Sequence, residues 1–275
     1  MTTLVPRRFG PTWRSAVGLI QHPTDTSAPH GAFLLARPMG LAATRSASMY
    51  RVLADRLARS GASVMRFDYH GTGDSPGEEA DQSASDWVRD IEEAQACLLQ
   101  ACQPIHIDWF GMGLGANLML QAALRAPHAP RRLVLWEPIA DGAHHLSALL
   151  DAHRQEMALQ LDQPWPDLMA QGLVQEPGVP GSVLGFHIGT QLANDLQTLP
   201  ALTRWLPLAL ERGIDVTLCA PEAALNAWSQ GLPSPTRDRL HWAPLQTTTN
   251  WMSSEAMGAA VVPPELNRIL EALTR

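Results

Sequence analysis

The sequence predicts an α/β protein with a mostly parallel central sheet flanked by helices. Short apolar strands alternate with amphipathic helices along most of the chain, which is typical of parallel sheets. Hydrophobic residues make up 45% of the 275 residues and charged residues only 17%, so the chain carries enough apolar material for a sizeable core. We therefore predict a single domain over residues 1–275.

Each predicted element has its own local pattern. Apolar residues recur at helical spacing in the segment that contains Met49, Val52, Leu53 and Leu57, which predicts a helix there. The predicted helices cover residues 46–59, 85–99, 116–126, 191–204 and 264–274. The predicted strands cover residues 13–23, 31–38, 62–70, 104–110, 131–138, 214–220 and 239–245.

The pattern changes between residues 141 and 190. Helical runs are broken there by PWP and by EPGVPGS, and no strand is obvious before IDVTLCAP at 214–221. We predict that residues 141–190 form a helical cap insertion over the carboxyl edge of the sheet.

Charge and composition exclude several classes of function. The net charge is −7, the sequence has no lysine, and its arginines are scattered, which argues against a nucleic acid partner. No apolar run reaches the roughly 18 residues of a membrane span, and the N-terminus is a poor secretion signal. Three cysteines make no disulfide framework. We expect a soluble, cytoplasmic protein and leave its oligomeric state open.

A glycine turn, GMGLG, follows the predicted strand at 104–110 and precedes the next helix. Its central residue is Gly113, and Gly111 and Gly115 flank it. Glycine turns that open helices also bind the phosphates of dinucleotides. This turn follows about the fifth strand rather than the first and lacks the full G-x-G-x-x-G spacing. We therefore expect no cofactor.

The order of elements and two motifs resemble the α/β-hydrolase superfamily, in particular its serine-aminopeptidase-like members. The motifs are RFDYHGTGDSPG at 66–77 and WFGMGLGANLML at 109–120. LVLWEPIADG, VLGFHIG and the C-terminal WMSSEAMGAAVVPPELNRIL are similar to bacterial hydrolases associated with exosortase and exopolysaccharide gene clusters. The resemblance covers nearly the whole chain and implies the α/β-hydrolase fold.

The resemblance implies a function for each residue of the glycine turn. Gly113 stands at the nucleophile position, which is serine in many members of the superfamily. In the exosortase-associated group the residue at this position is often not serine. The flanking glycines allow close packing of strand and helix. The N–H of Leu114 is expected in the oxyanion hole, together with an N–H near Met39 or Gly40. The resemblance therefore implies that the backbone of the nucleophile elbow and its oxyanion hole are retained, although the reactive side chain is missing.

The other two members of the catalytic triad do not follow the superfamily pattern in this sequence. The resemblance implies a histidine in the loop before the last helix, but no histidine follows His241, which we interpret as structural. The acid is expected after the preceding strand, where Glu222 is either that acid or an ordinary first-turn helix acid. Because triad members act as a unit, we expect a catalytically degenerate hydrolase that binds an acyl-type ligand or a protein partner. The alternative is an ester or thioester hydrolase with a non-standard constellation.

The remaining candidates are weaker. Ser46 is in principle a nucleophile, but we interpret it as a helix cap. His70, Asp68 and Asp74 lie in one turn, where the resemblance implies that the aspartates bond to backbone amides; the alternative is an acid–base pair that contains His70.

Histidines at the start of the insertion and tryptophans in and after it are further candidates. His144, His145 and His153 begin it in a spacing that fits no recognised metal site, so we expect no metal. Five tryptophans fall in or after the insertion, where they either pack the cap on the sheet or line an apolar pocket: Trp165, Trp205, Trp228, Trp242 and Trp251.

Overall fold

The computed structural model of the protein describes residues 2–25, 30–246, 251 and 262–273. Its central sheet has eight strands in the order β1-β2-β4-β3-β5-β6-β9-β10. The strands are β1 (Thr3–Phe9), β2 (Ala16–His22), β3 (Ala32–Ala36), β4 (Ser63–Asp68), β5 (Ile107–Met112), β6 (Arg132–Trp136), β9 (Asp215–Ala220) and β10 (His241–Pro244); β7 (Gly181–Val183) and β8 (Phe186–Ile188) form a separate hairpin. From β4 to β10 every neighbouring pair in the sheet is parallel. The predicted fold class is confirmed.

Helices cover both faces of this sheet. They are α1 (Gly40–Arg59), α2 (Ala84–Cys102), α3 (Leu114–Arg125), α4 (Gly142–Gln160), α5 (Trp165–Ala170), α6 (Thr190–Gln197), α7 (Leu202–Glu211), α8 (Glu222–Gln230), α9 (Ser234–Arg237) and α10 (Pro264–Leu273). Alternate strand residues point to opposite faces. Accordingly, Phe110 belongs to the apolar cluster that contains residues of α1 and α10, and Trp109 belongs to the cluster under α2 and α3.

The first strand was not predicted, because it lacks the pattern of a half-buried strand. Strand β1 is the sheet edge and pairs antiparallel with β2. Only Phe9 of its seven residues is buried, and it contains Pro6 and two arginines. Proline is tolerated on an edge strand because the unpaired side needs no N–H donor. Because β1 is exposed at the edge of the sheet, its sequence does not alternate between apolar and polar residues, and the strand could not be predicted from that pattern.

Two helix boundaries also differ from the prediction. Helix α1 begins at Gly40, so Ser46 lies in its second turn, where its hydroxyl donates to the Ala42 carbonyl at 2.7 Å. The interpretation of Ser46 as a cap was wrong, because the weak pattern of the preceding loop concealed the first turns of the helix.

The segment predicted as one helix over 191–204 forms α6 and α7, which are separated before Leu202 by a break at Pro200. Proline disfavours helical geometry in the residue before it.

The insertion at 141–190 is not purely helical. Helices α4 and α5 are followed by the hairpin of β7 and β8, in which Val183 pairs with Phe186. The two loop residues, Leu184 and Gly185, both have positive φ, as a tight two-residue hairpin turn requires. Strands of three residues are too short to show a period in the sequence, so the hairpin was missed. No helix in the described part of the chain is long and apolar enough to cross a membrane.

Strand β5 and helix α3 approach the neighbouring backbone too closely for any side chain at two glycines. A Cβ at Gly111 would lie 2.7 Å from the Ala116 Cα. A Cβ at Gly115 would overlap the carbonyl oxygen of Arg37 and lie 2.8 Å from that of Ala36. Both obstacles are backbone atoms at the centre of the sheet, which cannot rotate away. The turn between β5 and α3 therefore depends on these two glycines.

We predict that Gly115→Ala lowers the free energy of unfolding by about 3 kcal/mol or more, because overpacking against backbone forces a shift of the strand or the helix. Gly178→Ala is the matched control, since a Cβ at Gly178 would meet nothing within 4 Å. Urea unfolding of both variants checks the prediction. Equal stability of the two variants would show that the turn accommodates a methyl group.

Candidate active site at the glycine elbow

Gly113 joins β5 directly to α3. It has φ +55° and ψ −128°, in the region that glycine adopts most easily. Its N–H donates to the Trp136 carbonyl at 3.0 Å, which ties the turn to the end of β6. A Cβ at this position would meet only the Pro38 Cβ, at 3.3 Å. The turn therefore has room above it for a small group.

A cavity of about 180 Å³ lies against Gly113. Most of its walls are apolar side chains, and two of its lining residues, Glu137 and His145, are ionisable. The lining residues are Pro38, Met39, Leu41, Ala42, Met112, Gly113, Leu114, Glu137, His145, Leu149 and Trp251. We refer to this cavity as the elbow pocket. It brings together the two segments in which oxyanion donors were expected.

Two helices begin at the elbow pocket. Leu114 is the first residue of α3, and α1 begins at Gly40 directly after Met39. The first N–H groups of a helix have no acceptor within that helix, and the helix dipole favours negative charge at this end. A carbonyl oxygen or an oxyanion in the pocket would therefore find backbone donors.

Glu137 is a pocket residue that the sequence analysis missed. In the parallel pairing of β5 and β6, Met112 is opposite Trp136, so the residues that follow them, Gly113 and Glu137, are neighbours at the carboxyl edge. The backbone of Glu137 has φ +44° and its N–H donates to the Cys219 carbonyl at 2.7 Å. An acidic residue directly after a strand was the available signal, but the family pattern directed attention to the next strand.

Among the residues that the structure describes, the carboxyl group of Glu137 has one hydrogen-bond donor, which is neutral. Its Oε2 accepts from the Trp136 indole Nε1 at 3.2 Å. Burial raises the pKa of this carboxyl above its ordinary value, and the Trp136 bond opposes that rise. Within the described residues, no arginine or histidine forms an ion pair with it. A partly buried, unpaired carboxyl is costly to keep charged, so a ligand donor is favoured here.

His145 is the second ionisable residue of the elbow pocket. It lies in the first turns of α4, where its N–H donates to the Asp141 carbonyl at 3.0 Å. Burial, and to a lesser extent the neighbouring His144, lower the pKa of His145 to about 4. Its ring is therefore neutral at neutral pH and offers one donor and one acceptor. From the sequence, His145 was a candidate only for metal binding.

The metal hypothesis gains no support from the insertion. His144 is exposed, and His153 accepts a hydrogen bond from the Leu184 N–H at 3.0 Å. Among the described residues, no group of three or more histidine, cysteine, aspartate or glutamate side chains is arranged to hold a metal ion. The bond to Leu184 gives His153 a structural function, since it holds the hairpin turn against α4.

Two further candidates lie outside the elbow pocket. The Nδ1 atom of His70 is 2.9 Å from the Ser15 carbonyl, and the His70 N–H donates to Asp90 at 3.0 Å. Asp68 accepts the N–H of Asp74 at 3.0 Å and pairs with Arg37. These contacts stabilise the turn after β4, so they have a structural function. Neither His70 nor the fully buried Ser46 lines the elbow pocket.

The expected triad positions are also separated from the pocket. Glu222 is an exposed residue in the first turn of α8 and lines a different cavity. His241 is an exposed residue of β10, with its Nε2 2.9 Å from an Asp215 carboxylate oxygen. Most of the loop in which a triad histidine was sought lies outside the described residues.

The tryptophans divide between packing and pocket lining. Trp228 is buried in the core, and Trp205 and Trp242 pack against it. Trp165 donates to Glu176 at 3.3 Å on the surface of the insertion. Trp251 alone of the five lines the elbow pocket, and its indole nitrogen has no partner in the described structure. Packing is therefore the main function of this group.

The comparisons with known proteins agree with this geometry. The model of the serine aminopeptidase family S33 matches residues 43–178, a range that includes the glycine turn, and the eight-stranded sheet has the strand arrangement of the same fold. The chain belongs to the α/β-hydrolase superfamily. No curated protein matches the sequence.

Three solved structures illustrate how far the likeness of this α/β hydrolase extends. A putative hydrolase from Agrobacterium vitis has 18% identity and a TM-score of 0.57, with 99% of this chain and 98% of the other covered. A thioesterase domain from the curacin biosynthetic pathway has 15% identity and a TM-score of 0.54, with 99% of each covered. An esterase from Pyrococcus furiosus has 11% identity and a TM-score of 0.62, with 100% and 91% covered. At these identities the likeness shows the fold.

We predict that His145 makes the protein less stable as the pH falls. The pKa of His145 is about 4 in the folded chain and near 6.5 in the unfolded chain. Below pH 6.5 the imidazole is therefore protonated in the unfolded chain but remains neutral in the folded chain until the pH approaches 4. The stabilisation is complete above pH 6.5 and falls by about 2 kcal/mol between pH 7 and pH 5. His145→Gln removes this part of the pH dependence, as measured by urea unfolding at both pH values.

His144→Gln is the control for this measurement, because His144 lies on the same helix and is exposed. The comparison of each variant with the wild type cancels the titration of every other group. Identical pH dependence in the wild type and His145→Gln would contradict the burial of the imidazole.

Proposed function

We propose that this protein is a catalytically degenerate α/β hydrolase that binds an acyl-type ligand in the elbow pocket. The observation that carries the proposal is the composition of the pocket at Gly113. Among the described residues that line it there is no serine, threonine or cysteine, so the side-chain nucleophiles of ordinary acyl transfer are missing where the fold presents them.

The remaining features of the pocket fit an acyl compound. Leu41, Met112 and Leu149 provide an apolar wall against which a short aliphatic chain is favoured. The N-termini of α1 and α3 provide donors for the carbonyl oxygen. The esterase and the thioesterase domain among the structural neighbours bear names that refer to acyl esters and thioesters, which supports the same ligand class.

The resemblance to exosortase-associated hydrolases extends the proposal to a biological setting. We infer a bacterial, cytoplasmic protein that serves an exopolysaccharide system by binding an acyl-type ligand or a protein partner through this pocket. Three motifs carry this inference: LVLWEPIADG and VLGFHIG, at the two ends of the insertion, and the C-terminal WMSSEAMGAAVVPPELNRIL. The first of them contains Glu137.

A second candidate function is ester or thioester hydrolysis by an activated water. Glu137 and His145 line the same pocket as Gly113, and a carboxylate or a neutral imidazole is able to take a proton from water. In such a reaction the water oxygen bonds to the carbonyl carbon, the base accepts its proton, and the leaving alcohol or thiol receives a proton. Turnover distinguishes this function from simple binding.

We predict that the wild type binds at least one of two acyl compounds, N-methylhexanamide and methyl hexanoate. The Leu41→Trp substitution is expected to abolish the binding of both compounds. Leu41 lines the pocket, so the larger side chain fills it. Leu159→Trp is the matched control, because Leu159 is 66% exposed near the end of α4 and does not line the pocket. Isothermal titration calorimetry measures binding to all three proteins.

Turnover is measured in parallel with p-nitrophenyl hexanoate and hexanoyl thioesters. The degenerate hydrolase is expected to leave the rate at its uncatalysed value. Turnover that is present in the wild type and in Leu159→Trp but lost in Leu41→Trp would overturn degeneracy and establish the second candidate function. Binding that survives Leu41→Trp would overturn the elbow pocket as the site.

A further inference from the structure

Glu137 distinguishes the elbow pocket from a purely apolar cavity. The pocket offers donors at the two helix N-termini, yet Glu137 supplies a carboxylate acceptor next to Gly113. Backbone donors and a carboxyl side chain therefore line the same pocket. A ligand that satisfies both needs a hydrogen-bond acceptor and a hydrogen-bond donor.

The position of Glu137 is fixed by backbone contacts rather than by a flexible loop. Its N–H is bonded to Cys219 of β9, and the preceding residue, Trp136, accepts the N–H of Gly113. The carboxyl group is held by the Trp136 indole. The acceptor is thus attached to the same strand ends that shape the elbow, and Glu137 lines the same pocket as Gly113.

We propose that Glu137 makes the elbow pocket selective for acyl amides over acyl esters. The inference rests on the proposed function, since it assumes that an acyl group occupies this pocket. The ligand carbonyl accepts from the backbone donors, and the amide N–H, which points to the opposite side of the planar trans amide, donates to the Glu137 carboxylate. An amide thereby gives a further donor to a partly buried carboxylate, whose one donor in the described part of the chain is the neutral Trp136 indole.

An ester places an oxygen with lone pairs where the amide has its N–H. The Glu137 carboxylate is then left without a ligand donor and faces a second acceptor, which a site built for a donor rejects. The other ionisable pocket residue, His145, has an uncharged ring at neutral pH and does not neutralise the carboxylate. The discrimination therefore depends on Glu137.

The test compares N-methylhexanamide with methyl hexanoate, which differ only by N–H in place of O. At pH 8 the wild type is expected to bind the amide about 10- to 100-fold more tightly than the ester, the range for one buried hydrogen bond that is made or left unmade. In Glu137→Gln the ratio is expected to fall to within about 3-fold, because the glutamine amide both donates and accepts. Isothermal titration calorimetry gives both affinities.

Glu222→Gln is the matched control, since Glu222 is an exposed carboxylate that lines another cavity, and it is expected to keep the wild-type ratio. Equal affinities in the wild type would overturn the selectivity while the acyl site itself stands. A wild-type ratio that persists in Glu137→Gln would overturn the assignment to Glu137. Failure of the wild type to bind either compound would overturn the acyl site and the selectivity together.

Discussion

The contact between the backbone of α3 and the strand ends determines the geometry of the whole site. Gly115 presses against the carbonyl oxygens of Ala36 and Arg37, and Gly111 presses against the start of α3. These contacts bring the end of β3 against the elbow and point the N-terminus of α3 at the space over Gly113. Because α1 begins just beyond β3, the same packing brings a second helix N-terminus to the pocket.

The geometry of the glycine elbow depends on backbone contacts rather than on a reactive side chain. Gly113 keeps a positive φ and the bond to Trp136, so the turn is held by its backbone and does not need a serine hydroxyl. Stabilisation of a carbonyl oxygen by backbone donors is likewise independent of the nucleophile. Under the proposed function, binding therefore depends on the backbone and on the pocket walls, and it does not require a nucleophilic side chain.

Burial shifts the pKa values of the two ionisable pocket residues in opposite directions. It raises the pKa of Glu137 and lowers the pKa of His145, because in each case the charged form loses its hydration. Neither group is paired with an opposite charge among the described residues, in contrast to Asp68 with Arg37 in the neighbouring turn. Side chains without an ion-pair partner are able to form hydrogen bonds with a ligand. The ion pair of Asp68 and Arg37 instead stabilises the turn.

The sequence by itself determined the α/β class, most of the parallel strands and the glycine turn, because each depends on local periodicity or on the glycine content of a few adjacent residues. It missed the exposed edge strand β1 and the short hairpin of β7 and β8, whose residues carry too little pattern. It also could not place Glu137 and His145 beside Gly113. That juxtaposition depends on which strand lies next to β5 and on how α4 returns over the sheet, and only the tertiary packing decides those two relations.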